Sequence, residues 1–249
     1  PERSIVLFPA FRYSAVPNTF GGDVVDSKGR VWGMRTTFSE GRGGSLRMDT
    51  STWGPNDSIH TLVGPWVLVG EGRQKTEACL PGLEYLTAEE PSSSELDGHY
   101  PLSLRWAPHP NKITIPAMSV SYDWGTMGLC WDPLQKWDGE QDRPQPVFST
   151  PNRLGDQTNS LLALAIPGGM QGRGENNLEA DKPYSGPDVW LNTSAELFCA
   201  PGSSTDAAMK WYLDSHGLAP EPALPRTLED SLRLALDSSE NRFDEGSQG

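Results

Sequence analysis

The stretch VWLNTSAELFC, residues 189–199, has the pattern of a strand in an antiparallel sheet. Val189, Leu191, Leu197 and Cys199 are separated by two residues or by multiples of two. Because successive side chains of a strand point to opposite faces, these four side chains share one face. The alternation therefore predicts a half-buried strand with one face on a core.

Short runs of similar character fill most of the first two hundred residues. Turn signals separate them, such as GGD at 21–23, GRGG at 41–44 and PGG at 167–169. The run SLLALAI, residues 160–166, is apolar throughout, which predicts a strand buried on both faces or deep in a sandwich. Many strands, short turns and few helices predict an all-β fold, an antiparallel β-sandwich (supersandwich) with one or two C-terminal helices.

The composition changes near residue 201, where PGSS (201–204) indicates a linker and the start of a helical region. Thr205 is placed to cap a first helix, and Thr227 to cap a second, amphipathic helix, LEDSLRLALDS (228–238). We therefore predict three parts: a β-sandwich domain over 1–200, a C-terminal helical extension over 201–240 and a disordered tail over 241–249.

The 249 residues carry a formal net charge of −13. This charge argues against nucleic acid and against an anionic membrane surface as partners, because both need clustered lysine and arginine. No apolar run reaches the length of a membrane span. The sequence does not determine where the protein is localised, and we expect an extracellular location.

Residues that ligate metals are scattered. Three widely spaced cysteines, Cys79, Cys130 and Cys199, indicate neither a disulfide framework nor a zinc site, so we expect buried free thiols. Two loops offer the oxygen ligands that calcium takes: WDPLQKWDG (131–139) and NRLGDQTN (152–159). Neither matches an EF-hand. We therefore predict no cofactor, with a structural calcium ion as the alternative.

Two glutamates are the catalytic candidates. The sequence carries no nucleophile elbow, zinc-protease motif or phosphate-binding glycine loop. Glu71 follows the apolar run WVLVG (66–70), and Glu84 lies within LEYL (83–86). Glycoside hydrolases use two carboxylates across a cleft, so one hypothesis pairs Glu71 with Glu84. In the structural alternative, Glu71 caps a turn, and Glu84 points to solvent or pairs with an arginine.

Nine tryptophans are many for a chain of this length. Trp124 lies in the turn DWG (123–125) between two strands, where little core is within reach. An exposed indole stacks on the apolar face of a sugar ring while neighbouring polar groups bind the hydroxyls. Packing is the alternative for any single tryptophan, and we expect it for Trp131, Trp190 and Trp211. The candidate ligand-binding residues are Trp53, Trp66, Trp106, Trp124, Glu71, Arg73, Glu84, Tyr85, His109 and Asp123.

Three runs together resemble a known kind of domain: WVLVGEGRQKTEACLPGLEYLTAEEPSSS (66–94), RWAPHPNKITIPAMSVSYDWGTMGLCWDP (105–133) and VFSTPN (147–152). They are similar to the β-supersandwich, galactose-mutarotase-like domain that precedes a helical toroid in large bacterial carbohydrate-active proteins. The resemblance covers about residues 60–240. It implies a carbohydrate context and a helical catalytic domain as a partner in the parent protein, and it carries over no catalytic residue.

These observations support three hypotheses of function. The first is binding of a neutral polysaccharide or oligosaccharide by a sandwich module that is accessory to a carbohydrate-active enzyme. The second is a glycoside hydrolase that uses the Glu71 and Glu84 pair. The third is a structural sandwich that only docks a helical catalytic domain. We expect a binding module rather than an enzyme in its own right.

Overall fold

Strands dominate the computed structural model, which describes residues 12–13, 16–55, 62–92, 110–140, 142–152, 158–166, 190–217 and 227–240. The described strands are β1 (Arg12–Tyr13), β2 (Thr19–Val25), β3 (Val31–Glu40), β4 (Leu46–Trp53), β5 (Leu62–Val69), β6 (Glu77–Leu80), β7 (Glu84–Thr87), β8 (Ala117–Tyr122), β9 (Gly125–Cys130), β10 (Gln145–Ser149), β11 (Ser160–Ile166) and β12 (Leu191–Ala200). The described α-helices are α1 (Ala207–His216) and α2 (Leu228–Glu240).

The described strands form two antiparallel sheets. The large sheet has nine strands, counting the two-residue β1, in the order β1-β2-β3-β4-β12-β9-β8-β6-β7. The small sheet has the order β10-β11-β5. β12 holds the two halves of the large sheet together, because Leu197 is in register with Leu46 of β4 on one side and Leu129 of β9 on the other. The predicted fold class, an antiparallel β-sandwich with C-terminal helices, is confirmed.

The main core lies between the two sheets. Met118, Val120 and Tyr122 alternate along β8, and they cluster with Leu162 and Leu164 of β11. We call this face of the large sheet its inner face and the opposite face its outer face. β11 is the middle strand of the small sheet and is buried along its whole length, as the apolar run predicts.

Helix α1 packs against the outer face of the large sheet. Phe198 of β12 and Cys130 of β9 form a second cluster with Ala208 of the helix. The rings of Phe198 and Trp211 stack in parallel, with centroids 4.5 Å apart. The helix begins after Asp206, so the expectation that Thr205 caps it is wrong by one position. The sandwich therefore carries a third layer over part of its large sheet.

The chain divides into two units, residues 1–217 and residues 218–249. In the second unit, the backbone N–H of Asp230 donates to the hydroxyl of Thr227 over 3.1 Å, so the predicted cap of α2 is present. Leu228, Leu232 and Leu236 follow one stripe of this helix and are exposed. In the described part of the chain, neither α-helix is long and apolar enough to cross a bilayer.

Asp26 organises the turn between β2 and β3. Its carboxylate accepts hydrogen bonds from the backbone N–H groups of Lys28 and Arg30, from Nε of Arg30 at 2.7 Å and from Nε1 of Trp32 at 3.1 Å. Burial acts to raise the pKa of this carboxyl. The hydrogen bonds from Trp32 and Arg30 outweigh it, so the pKa of Asp26 lies well below its usual range.

Asp26→Asn should therefore lower stability in a pH-dependent way. A carboxyl whose pKa is depressed by folding stabilises the protein above its unfolded pKa of about 3.9, and this stabilisation is lost as the pH falls from there. We expect the variant to melt a few degrees below the wild-type protein at neutral pH, with the difference shrinking below about pH 4. Thermal melts across this range measure it. A difference in melting temperature between the two proteins that is the same at neutral pH and below pH 4 contradicts this account.

The three cysteines are free, and they differ in exposure. Cys79 and Cys130 are buried, as expected. Burial, with the nearby Asp206 carboxylate, raises the pKa of the Cys79 thiol to about 12, and burial also raises that of Cys130. Cys199 is exposed, so the expectation of a buried thiol is wrong there; it is next to last in β12, beyond the last residue of this strand that pairs with β4.

A thiol reagent should consequently modify about one thiol per folded chain, because a reagent in solution reaches only an exposed thiol. Labelling at mildly alkaline pH, followed by peptide mass spectrometry, should find the label on Cys199. Cys199→Ser should remove the fast reaction, and Cys79→Ser should leave it unchanged. Fast labelling of Cys79 in the folded protein would contradict the burial of that thiol.

Candidate functional site

The hairpin between β8 and β9 carries Trp124, the predicted platform in the turn DWG. Trp124 is 49 % exposed. Its ring lies parallel to that of Tyr122, with centroids 5.6 Å apart and an interplanar angle of 4°. Because one face of the indole lies along Tyr122, the exposed part includes the opposite face. The hairpin thus holds a flat aromatic surface towards solvent.

Tyr122 fixes the position of this indole. It is only 1 % exposed. Its hydroxyl donates to the carbonyl of Val69 over 3.0 Å and lies 3.0 Å from Oγ of Ser160, which joins β8 of the large sheet to β5 and β11 of the small sheet. A Cβ atom at Gly70 would lie 2.0 Å from the Tyr122 ring, so a side chain there would displace the ring. The ring under Trp124 is therefore held from both sheets.

The loop after β5, residues 70–76, places polar groups beside the indole. Nη1 of Arg73 lies 3.2 Å from Oδ1 of Asp123, the residue before Trp124. Glu71 is exposed in the same loop, and the backbone N–H of Gly72 donates to Oγ1 of Thr158 over 3.2 Å. We call Trp124, Asp123, Arg73 and Glu71 the Trp124 cluster. The ion pair brings Arg73 to the turn that holds Asp123 and Trp124, and Glu71 lies two residues before Arg73 in the same loop.

Other predicted site residues lie elsewhere. Trp66 is half exposed on β5 of the small sheet. Tyr85 is half exposed on β7, the edge strand of the large sheet, where its hydroxyl accepts a hydrogen bond from the backbone N–H of Gly82 over 3.2 Å. Trp106 and His109 lie outside the described residues. The structure therefore gathers Trp66 and Tyr85 into neither the Trp124 cluster nor a common site.

The two candidate catalytic carboxylates lie at opposite ends of the β6–β7 hairpin. Glu71 is in the exposed loop that leads into β6. Glu84 begins β7 and pairs with Leu80, the last residue of β6, and its Oε2 is shielded from solvent. The length of β6, about 10 Å for three residue steps, separates Glu84 from the end of the hairpin that follows the loop. The β6–β7 pairing therefore does not place Glu71 opposite Glu84 on neighbouring strands.

A second aromatic cluster lies on the outer face of the large sheet. The ring of Trp53, at the end of β4, covers Gly33 of β3: a Cβ atom there would lie 1.7 Å from the indole. Trp190 packs against Trp53 with ring centroids 4.4 Å apart. The guanidinium carbon of Arg35 lies 5.3 Å from the centre of the Trp190 ring, within the range of a cation–π contact. We call Trp53, Trp190 and Arg35 the Arg35 cluster.

The sequence pattern identifies only part of the Arg35 cluster. It selects Trp53, but it assigns Trp190 to core packing, whereas Trp190 is 36 % exposed. Trp190 precedes the buried Leu191 and so faces the other way, towards Trp53. The contact depends on the pairing of β4 with β12, which are far apart in sequence. By contrast, Trp131 lies in the main core and Trp211 packs on Phe198, as expected.

Hydrogen bonds order the polar side chains on the same outer face. Oγ of Ser51 donates to Oδ1 of Asn192 over 2.7 Å, and Nδ2 of Asn192 donates to the carbonyl of Trp190 over 3.0 Å. Further along, Arg47 pairs with Asp49 at 2.8 Å. The face is therefore a polar surface with preset side-chain positions and aromatic rings at one end.

The described residues contain no group of three or more histidine, cysteine, aspartate or glutamate side chains that could hold a metal ion. In one candidate calcium loop, Oδ1 of Asp132 accepts a hydrogen bond from the backbone of Leu134, and Oδ1 of Asp138 accepts one from Glu140. These contacts are those of aspartates that shape turns. The other candidate loop, 152–159, is described at residues 152, 158 and 159 only.

Comparisons with protein-family models, with curated proteins and with solved structures find no match for this chain.

Tyr122→Phe should separate the two roles of this tyrosine. Phenylalanine keeps the ring under Trp124 but removes the hydroxyl that joins the sheets, and leaves the carbonyl of Val69 without that donor. We expect the free energy of unfolding in urea to fall by about 1–2 kcal/mol. Tyr85→Phe is the matched control, because its hydroxyl is at an exposed edge, and should cost less than about 0.5 kcal/mol. Equal effects of the two changes would rule out a special role for the buried hydroxyl.

Proposed function

We propose that this chain binds carbohydrate, as a non-catalytic sandwich module of a carbohydrate-active protein, with the Trp124 cluster as the binding platform. The observation that carries the proposal is the half-exposed indole of Trp124 lying flat on the buried ring of Tyr122. A rigid indole with one face open is suited to stack on the apolar C–H face of a sugar ring.

The polar members of the cluster suit the hydroxyl groups at the edge of such a ring. Arg73 provides guanidinium donors, and Asp123 and Glu71 provide carboxylate acceptors. The Arg73–Asp123 ion pair is exposed, and exposed pairs contribute only about 0–1 kcal/mol, so its groups can turn towards a ligand at small cost. A neutral polysaccharide or oligosaccharide fits the overall charge of −13, which repels polyanions at long range.

Binding is a better conclusion than hydrolysis, because Glu71 and Glu84 lie at opposite ends of the β6–β7 hairpin. The helical catalytic domain that the resemblance implies stays part of this proposal as the partner within the parent protein. A sandwich that only docks such a domain would bind no sugar by itself, so a binding assay on the isolated chain distinguishes the two hypotheses.

Affinity electrophoresis through gels that contain glucans, xylans or mannans tests the proposal. We expect retardation on at least one polysaccharide, and an affinity loss of about tenfold or more with Trp124→Ala, as for the removal of an aromatic anchor. Leu134→Ala is the control for loss of exposed apolar surface, because Leu134 is exposed in the loop between β9 and β10.

Two results would contradict the proposal. One is unretarded migration of the wild-type chain on every gel. The other is wild-type affinity in Trp124→Ala, above all if Trp66→Ala abolishes binding instead, since that would move the site to the small sheet. Sugar released from the polysaccharide, and lost with Glu71→Gln, would favour the hydrolase hypothesis over binding alone.

A further inference from the structure

Arg35 is a positioned cation without a carboxylate partner in the described part of the chain. Its side chain is exposed, and its described contact is with the ring of Trp190. The carboxylates on the same face leave it unpaired: Asp49 pairs with Arg47, and Asp23 on β2 forms no described ion pair with Arg35.

The support beneath Arg35 is rigid. The guanidinium lies over the Trp190 ring, Trp190 packs on Trp53, and Trp53 lies against the backbone of Gly33. A group held in its binding orientation loses less conformational entropy when a ligand arrives. The Arg35 side chain is exposed, and the planar fork of N–H donors of a guanidinium matches the two oxygens of a carboxylate.

The overall charge limits the kind of anion that can bind. A polymer with a carboxylate on every sugar would be repelled by the net charge of −13. A neutral polymer with isolated carboxylates avoids most of this repulsion and still offers Arg35 a partner. Asn192, on the same outer face, donates a hydrogen bond to the Trp190 carbonyl.

We propose that the Arg35 cluster is a second ligand site, which binds an isolated uronate substituent on an otherwise neutral glycan. That the ligand is a glycan rests on the proposed function; the residues that bind its carboxylate are separate from the Trp124 cluster. The two clusters lie near opposite ends of β12. Trp190 immediately precedes the first residue of β12. At the other end, Ala200 pairs with Thr126, next to the β8–β9 turn that holds Asp123 and Trp124.

The test uses one glycan in two forms. Xylan with sparse glucuronate substituents is compared with the same xylan after chemical reduction of its carboxyl groups, which leaves the backbone and the degree of substitution unchanged. The wild-type chain should bind the carboxylated form about fivefold more tightly at low salt, as for one exposed ion pair, and this preference should vanish near 1 M salt. Polygalacturonate, with a carboxylate on every sugar, should bind more weakly than the sparsely substituted xylan.

Three variants test whether Arg35 causes the preference for the carboxylated xylan. Arg35→Gln should abolish the preference for the carboxylated form and leave affinity for the reduced form unchanged. Arg35→Lys should keep only part of it, because lysine lacks the planar pair of donors. Arg233→Gln on α2 removes the same charge elsewhere and should change nothing. Circular dichroism melts confirm that each variant is folded.

The outcomes separate this inference from the proposed function. Equal binding of the two xylan forms, with loss of both in Trp124→Ala, overturns the Arg35 site and leaves the Trp124 platform intact. A preference for the carboxylated form that survives in Arg35→Gln also overturns it. A preference that is lost in Arg35→Gln and retained in Trp124→Ala supports it. Binding of neither xylan form overturns the Arg35 site as proposed; the proposed function is overturned only if the glucan and mannan gels also fail to retard the wild-type chain.

Discussion

The contact between the Tyr122 hydroxyl and the small sheet is the interaction on which the candidate site depends. The hydroxyl donates to Val69 and lies beside Ser160, so one side chain of the large sheet is tied to two strands of the other sheet. The same ring supports Trp124 from below. Because a rigid platform loses little entropy when it binds a ligand, the packing that stabilises the sandwich also prepares its exposed aromatic surface.

The fold could be predicted from the sequence because its signals are local. Alternation along β12 and the unbroken apolar run of β11 each follow from the two-residue period of a strand and its burial on one face or both. The strand order could not be predicted. The position of β12 between β4 and β9 depends on contacts between residues far apart in the chain, and no local pattern encodes them.

The candidate site, too, could be predicted only where the signal is local in the sequence. Trp124 could be predicted because a turn between two strands gives an indole little core to enter. The Arg35 cluster could not, because Trp53, Trp190 and Arg35 meet only through the register of β3, β4 and β12. Cys199 shows the same limit, since apolar neighbours in the sequence do not bury a residue at a strand end. The β6–β7 register does not favour the predicted pairing of Glu71 with Glu84.

The most direct test of the account is an NMR titration that follows the indole N–H resonances of the tryptophans. The titrant is an oligosaccharide of a polysaccharide that retards the wild-type chain in affinity electrophoresis. We expect the Trp124 resonance, assigned from Trp124→Phe, to move in a saturable way with the ligand, while those of the buried Trp131 and Trp137 stay unchanged. A titration in which the oligosaccharide binds and the Trp124 resonance does not move would contradict the central claim that this indole is the binding platform.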